Sequence, residues 1–300
     1  MKSSEGFAFV RPGLHLYYRI LGEGEETVVV PNASWLWESL HPLAERRRLI
    51  LYDPRGRGRS SAVTDPRQLG LQEDVGDLEE IRRYFGLDRL TLLGSSYHAA
   101  IAASYALDNP GRVKRLLLVC PITPRVPGEW AQEVPSPEVL IYPPGMARLD
   151  ELRRDGVDQE DPVAFCRAWF THFLLPAMMA DPAAISRFPL ADVCSFPNEW
   201  PQRAVPLYFD HIIPKMKDWD FRPRLAELDC PALVIQGTDD LVPLEASREW
   251  AAFAPDARFL PLPGVGHHPY LERPQEFLAA AEAFLKGEWP QGAEIVRRAA

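Results

Sequence analysis

Short apolar runs alternate with amphipathic stretches along most of the 300 residues. The runs LHLYYRIL (14–21), TVVVP (27–31), RLILYD (48–53), RLTLLG (89–94), VKRLLLVC (113–120), PALVIQG (231–237) and ARFLPL (257–262) predict strands of five to eight residues. Several are apolar over their whole length, the pattern of strands covered on both faces. Helical periodicity fits between them at 68–85, 97–108, 244–254 and 274–286, with Gly86 placed to stop the first helix. This alternation predicts an α/β fold whose central sheet is mainly parallel, with right-handed crossovers and flanking helices.

Strand signals vanish between residues 122 and 225, where proline accumulates: 16 of the 30 prolines fall from Pro121 to Pro223. Within this stretch EDPVAFCRAWFTHFLL and ADPAAISRF each place an Asp at a helix N-cap with Pro at the first helical position. A core formed by 1–121 and 226–300 is therefore expected, with 122–225 inserted as a mostly helical cap. Its aromatic residues Trp169, Phe170, Phe173, Trp200, Tyr208 and Phe209 have two readings. They form the insertion's own small core, or some of them face a pocket over the C-terminal ends of the strands, where ligands of open α/β sheets bind.

Composition narrows the function classes. With 46% hydrophobic and 25% charged residues the chain is an ordinary globular protein, and no segment has the apolar length of a membrane span. A net charge of −9 argues against a nucleic-acid surface. The opening MKSSEGFAFVRPG lacks the apolar stretch of a secretory signal, which leads to the expectation of a cytoplasmic protein. Cys120, Cys166, Cys194 and Cys230 lie far apart with no C-x-x-C pair, and reduced packing residues are expected at all four. Neither a metal site nor a cofactor is expected, since no H-x-x-x-H helix or clustered carboxylate and thiol set accompanies the histidines.

Three strand ends carry candidate chemistry. In LTLLGSSYHAAIAASYA (90–106) an apolar strand stops at Gly94 and an alanine-rich helix begins just after Ser96. A serine hydroxyl needs a base to remove its proton and needs to stand clear of the backbone, and a tight strand-to-helix turn provides the second condition. The bland alternative is that Gly and Ser are ordinary turn residues. PALVIQGTDDLVP runs into Asp239 and Asp240, and ARFLPLPGVGHHPYLERP runs into His267 and His268. Each pair supplies one candidate and one neighbour that turn chemistry alone explains. The chain order is Ser, Asp, His, unlike that of the two protease arrangements with the same chemistry.

On LLGSSY, GTDDLVP and PGVGHHPYLERPQEF, together with LYDPRGRGRSS (51–61), the chain resembles the α/β-hydrolases over almost all of its length outside the cap. The resemblance implies Ser96 as nucleophile, Asp240 as the acid three residues after the loop glycine, and His267 as the base directly after the last glycine of its loop. It also implies an oxyanion hole from the backbone N–H groups of Ala33 and Tyr97. Two positions depart from the family pattern. Pro31-Asn32 replaces the usual His-Gly after the third strand, and His98 replaces the small residue two positions after the nucleophile. Asn enters the left-handed backbone region more readily than most residues. His98 has two readings, structural accommodation and a role at the substrate.

The implied activity is hydrolysis of a carboxylic ester, or a related acyl bond, of a small-molecule substrate through an acyl-enzyme. Asn32, Trp35, Trp37 and His98 are the candidate pocket residues, and the aromatic ones suggest an apolar or aromatic group. The rival readings are an aminopeptidase or amidase of the proline iminopeptidase type, a lyase or C–C bond hydrolase, and a low-turnover ligand-binding protein. The His-Gly-Gly-Pro-Gly run of proline iminopeptidases is absent.

Overall fold

The seven apolar runs become strands of a single sheet, and an eighth strand joins them at one edge. A computed structural model describes residues 2–126 and 142–297. The first part of the expected cap, 127–141, and the extreme ends of the expected core lie outside the described residues. The strands are β1 (Ser3–Arg11), β2 (Leu14–Leu21), β3 (Thr27–Pro31), β4 (Arg48–Tyr52), β5 (Leu90–Ser95), β6 (Val113–Val119), β7 (Ala232–Gly237) and β8 (Ala257–Leu262). Their spatial order is β1-β2-β4-β3-β5-β6-β7-β8. β1 with β2 and β2 with β4 are antiparallel, and every other pair is parallel.

Burial explains which strands announce themselves. Every residue of β5 and of β7 is buried, so each reads as a continuous apolar run. β1 is an edge strand with most positions exposed, including Phe7 at 54% and Phe9 at 57%, and its apolar run is limited to residues 7–10. Alternate residues of the central strands serve opposite faces. Val28, Leu93, Leu117 and Ile235 pack with Leu36 and Leu40 of α1 (Ala33–Leu40) and with Phe277 and Phe284 of the helix Pro274–Leu285. Val29, Leu92, Leu116 and Val234 pack with Leu78 and Ile81 of α2 (Leu71–Tyr84) and with Ile101 and Tyr105 of α3 (Tyr97–Asp108). Gly86 takes φ 62 just past the Phe85 C-cap of α2, as its stop requires.

Between Pro143 and Leu225 the described residues form helices and turns. Asp161 and Asp181 cap helical segments that start with Pro162 and Pro182, accepting from the Ala164 and Ala183 amides. The segment leaves and rejoins the sheet through one neck, where Val126 N–H donates to Trp219 O at 2.8 Å and Phe221 N–H to Pro124 O at 2.8 Å.

One sequence expectation is corrected here. Cys166 and Cys194 form a disulfide across 28 residues, with Cα atoms 5.7 Å apart. Tertiary packing of the Pro162–Trp169 helix against the Leu190–Val193 turn brings them together, which sequence spacing does not reveal. Cys120 and Cys230 are the buried free thiols.

Candidate active site

Ser96 sits between β5 and α3 with φ 54 and ψ −128, a conformation that costs a non-glycine residue strain. The turn is held on both sides: Ser96 N–H donates to Val119 O at 3.0 Å, and Ser96 O accepts from Ala99 N–H at 3.0 Å. Gly94 permits it, because a Cβ there would lie 2.5 Å from His98 O and 2.7 Å from Ala99 Cα. Ser96 is partly exposed while its neighbours Ser95 and Tyr97 are buried. It makes no side-chain cap on α3, so the positive end of that helix faces outward at the serine.

The loops after β7 and β8 meet at Cys120, which follows Val119, the residue whose carbonyl accepts from Ser96 N–H. His267 Nδ1 lies 2.8 Å from Asp240 Oδ1 and 2.9 Å from Oδ2. Both side chains are essentially inaccessible, at 2% and 0% exposure. Asp240 also accepts from Gln236 Nε2 at 2.6 Å and from the Val242 amide at 3.0 Å. Gly237 lets the two loops touch, since a Cβ there would meet Val265 O at 2.1 Å. Gly266 lets the inserted segment approach: its Cβ would lie 2.6 Å from Met178 O, the atom that accepts from His267 N–H at 2.8 Å. With Nδ1 held by the carboxylate, the other ring nitrogen is the free one. His267 Nε2 is buried without a hydrogen-bond partner among the described residues.

His268 faces elsewhere. Its Nδ1 meets Tyr270 Oη at 2.7 Å, and burial, with His267 beside it, lowers its pKa well below the ordinary histidine value. Asp239 is exposed and accepts from the Thr238 hydroxyl at 2.8 Å.

The first loop follows β3. Asn32 takes φ 99 and ψ 62, the left-handed conformation for which Asn substitutes for Gly, and Ala33 opens α1 fully buried. Trp35 packs edge-on against Phe170 at 5.3 Å and Phe188 at 5.1 Å, and its Nε1 donates to Glu199 at 2.8 Å. Trp37 lies farther along the same seam, with Arg19 stacked on its ring at 4.1 Å and its Nε1 on Asp192.

His98 is buried, and its pKa is pulled down to about 3 by burial and by the nearby Arg57 charge. It is neutral at ordinary pH. Its Nε2 lies 3.5 Å from Tyr208 Oη, so the position where the family pattern has a small residue instead links the Ser96 turn to the inserted segment.

Four elements of the site have no signal in the sequence. Gln236 looks like one more strand residue until it reaches Asp240. Glu199 is a buried carboxyl that accepts from Gly58 N–H at 2.6 Å as well as from Trp35, and burial raises its pKa. The Arg57–Asp74 pair is buried beneath Tyr97. Cys120 Sγ lies with ligand atoms of Asp240 and His267 in a group whose atoms are within 4.8 Å of one another. Burial and the Asp240 carboxylate push that thiol well up; its Sγ lies 3.9 Å from Gly266 O, while Asp240 and His267 face each other.

A family model described as the alpha/beta hydrolase fold matches residues 30–274. The chain belongs to the α/β-hydrolase family. Among curated relatives of this α/β-hydrolase, a proline iminopeptidase of Heyndrickxia coagulans is 25% identical over 295 residues, covering 94% of this chain and 98% of the relative. A putative carbamate hydrolase RutD of Caulobacter sp. (strain K31) is 28% identical over 286 residues, covering 91% and 96%. Among solved structures, an alpha/beta fold family hydrolase from Bacillus anthracis str. Sterne superposes with a TM-score of 0.70 at 17% identity, over 95% of this chain and 99% of that one. The relatives support a hydrolase, and the bond cleaved differs among them. Among the described residues no helix is long and apolar enough to cross a membrane.

Proposed function

We propose that this α/β-hydrolase cleaves a carboxylic ester, or a related acyl bond, of a small apolar or aromatic substrate through an acyl-enzyme on Ser96. The observation that carries the reading is the His267–Asp240 contact, which leaves the buried Nε2 of His267 as the only ring nitrogen able to act. Ser96 Oγ attacks the carbonyl carbon while His267 Nε2 takes its proton. The proton then passes to the leaving alcohol as the acyl–oxygen bond breaks. Water, deprotonated by the same nitrogen, releases the acid and restores Ser96. Asp240 holds the tautomer in which Nδ1 carries hydrogen. The amides of Ala33 and Tyr97 receive the oxyanion, with α3 adding its positive end. In the free enzyme such hydrogen bonds are often long and tighten with substrate.

In this reading 1–121 and 226–300 are the catalytic core and 122–225 is the cap, whose Phe170 and Phe188 build the apolar wall with Trp35. A prolyl aminopeptidase is the second reading, favoured by the iminopeptidase relative. A substrate ammonium needs an accessible anion, and Glu199 is buried with its pKa raised by that burial, which favours the ester. Comparing p-nitrophenyl esters of increasing acyl length with prolyl-p-nitroanilide tests this: ester turnover abolished by Ser96→Ala is expected, and faster prolyl release would reverse the order.

A further inference from the structure

Beneath the nucleophile turn lies a buried charged cluster that the hydrolytic steps do not use. Asp74 of α2 is wholly buried and accepts from Arg57 Nη1 at 2.7 Å and Nη2 at 2.8 Å, and from the Tyr97 hydroxyl at 2.8 Å. Arg57 Nη1 also donates to Arg55 O at 2.9 Å, and its guanidinium faces the rings of Tyr97 at 5.7 Å and Tyr208 at 5.2 Å. Tyr208 belongs to the inserted segment, lies edge-on to Tyr97 at 5.7 Å and reaches His98 with its hydroxyl. Arg57, Asp74 and Tyr97 thus come from three separate elements and meet at the first residue of α3.

A buried ion pair is weak evidence for stability, because desolvating the two charges offsets much of their attraction. What such a pair does supply is direction, since the planar guanidinium fork fixes both partners in one geometry. The Tyr97 side chain is the part of the first turn of α3 that reaches the Arg57–Asp74 pair. Its backbone N–H leaves the same residue on the side of the strained Ser96 turn, where no side chain caps the helix.

We propose that Arg57 and Asp74 are positioning residues: by holding the Tyr97 hydroxyl they aim the Tyr97 amide at the oxyanion, with Tyr208 closing the clamp from the cap side. The inference rests on the serine-hydrolase reading and adds to it the device that sets one oxyanion donor. It also gives the unusual His98 a place, as the contact through which the cap's Tyr208 is registered against the nucleophile turn.

The test uses the full chain. Fluorophosphonate labelling of Ser96 in the unaltered protein comes first, and failure to label there overturns the serine reading together with this inference. With labelling established, Tyr97→Phe removes one hydroxyl and keeps the amide. A roughly tenfold fall in kcat for a p-nitrophenyl ester is expected with KM held within about twofold, a fraction of the ~10²–10³ that loss of a whole oxyanion donor costs. Affinity for an alkylboronic acid, which forms a tetrahedral adduct on the serine, falls by the same factor. Arg57→Lys keeps the charge but loses the fork, and shifts kcat and boronate affinity in the same direction, so the inference stays testable where Tyr97→Phe does not fold. A lowered melting temperature with kcat and boronate affinity unchanged in either folded variant overturns the inference and leaves a structural clamp.

Discussion

His267 turns its Nδ1 onto Asp240, within 2.9 Å of both carboxylate oxygens, while the adjacent Asp239 faces solvent and the Thr238 hydroxyl. The two aspartates therefore have separate fates although they adjoin in sequence. Asp240→Asn is expected to lower kcat by about 10⁴, the scale seen when a triad acid becomes an amide and the imidazole loses its proper tautomer. Asp239→Asn should stay within a few-fold of the parent. Steady-state kinetics of the two variants on one ester decides the assignment, and the reverse ranking would move the acid to position 239.

Asn32 carries a second expectation. Its φ of 99 suits Gly as well as Asn and excludes β-branched residues without strain of about 1–3 kcal/mol. Asn32→Gly should keep kcat within a few-fold, whereas Asn32→Val should lose both stability and kcat as the loop that presents the Ala33 amide shifts. Urea unfolding and ester kinetics on the same preparations check it. Full activity in a stable Asn32→Val variant would remove this loop from the oxyanion hole.

The neutral His98 sets a pH dependence. Its pKa falls from the ordinary 6.5 in the unfolded chain to about 3 in the fold, with Arg57 the facing charge and the Tyr97 and Tyr208 phenols beside it. Between those values the unfolded chain binds the proton and the folded chain does not. This contribution is therefore fully present above pH 6.5 and is lost as pH drops toward 3, at up to about 1.4 kcal/mol per pH unit for one proton. His98→Asn should flatten the fall in unfolding free energy over that range, with His268 unchanged in both proteins. Equal slopes would mean that His98 takes up its proton without unfolding.

The disulfide makes a chemical prediction. Protein denatured without reductant should show two reactive thiols, Cys120 and Cys230, and four after reduction. Replacing both Cys166 and Cys194 by Ala should destabilise the protein by about 3–4 kcal/mol in the chain-entropy model for a loop of this length. Four thiols before reduction, in protein taken directly from cells, would mean that the pair stays reduced there.

Much of the architecture is legible because the parallel strands are covered on both faces, so that VVV, LILY and LVI stand out against the helices between them. β1 escapes because its apolar run is only Phe7 to Val10, preceded by the polar SSEG, and because Phe7 and Phe9 lie on its exposed face. The residues that punctuate the candidate site are also visible: Gly94, Gly237 and Gly266 each precede a candidate side chain, and each admits a backbone approach that any Cβ would block. What spacing cannot carry is contact between elements far apart in the chain. Cys166 with Cys194, Glu199 with Trp35, and Asp74 with Arg57 and Tyr97 are such contacts. Gln236 is hidden for a related reason, since its role depends on where the following loop folds back.

The most direct measurement is intact-protein mass spectrometry after exposure to a fluorophosphonate, followed by peptide mapping and repeated with Ser96→Ala. One adduct per chain on Ser96, absent from the variant and accompanied by loss of ester turnover, is the expected result. A folded protein that takes no adduct, or takes it on another residue while Ser96→Ala still turns over ester, would contradict the acyl-enzyme mechanism.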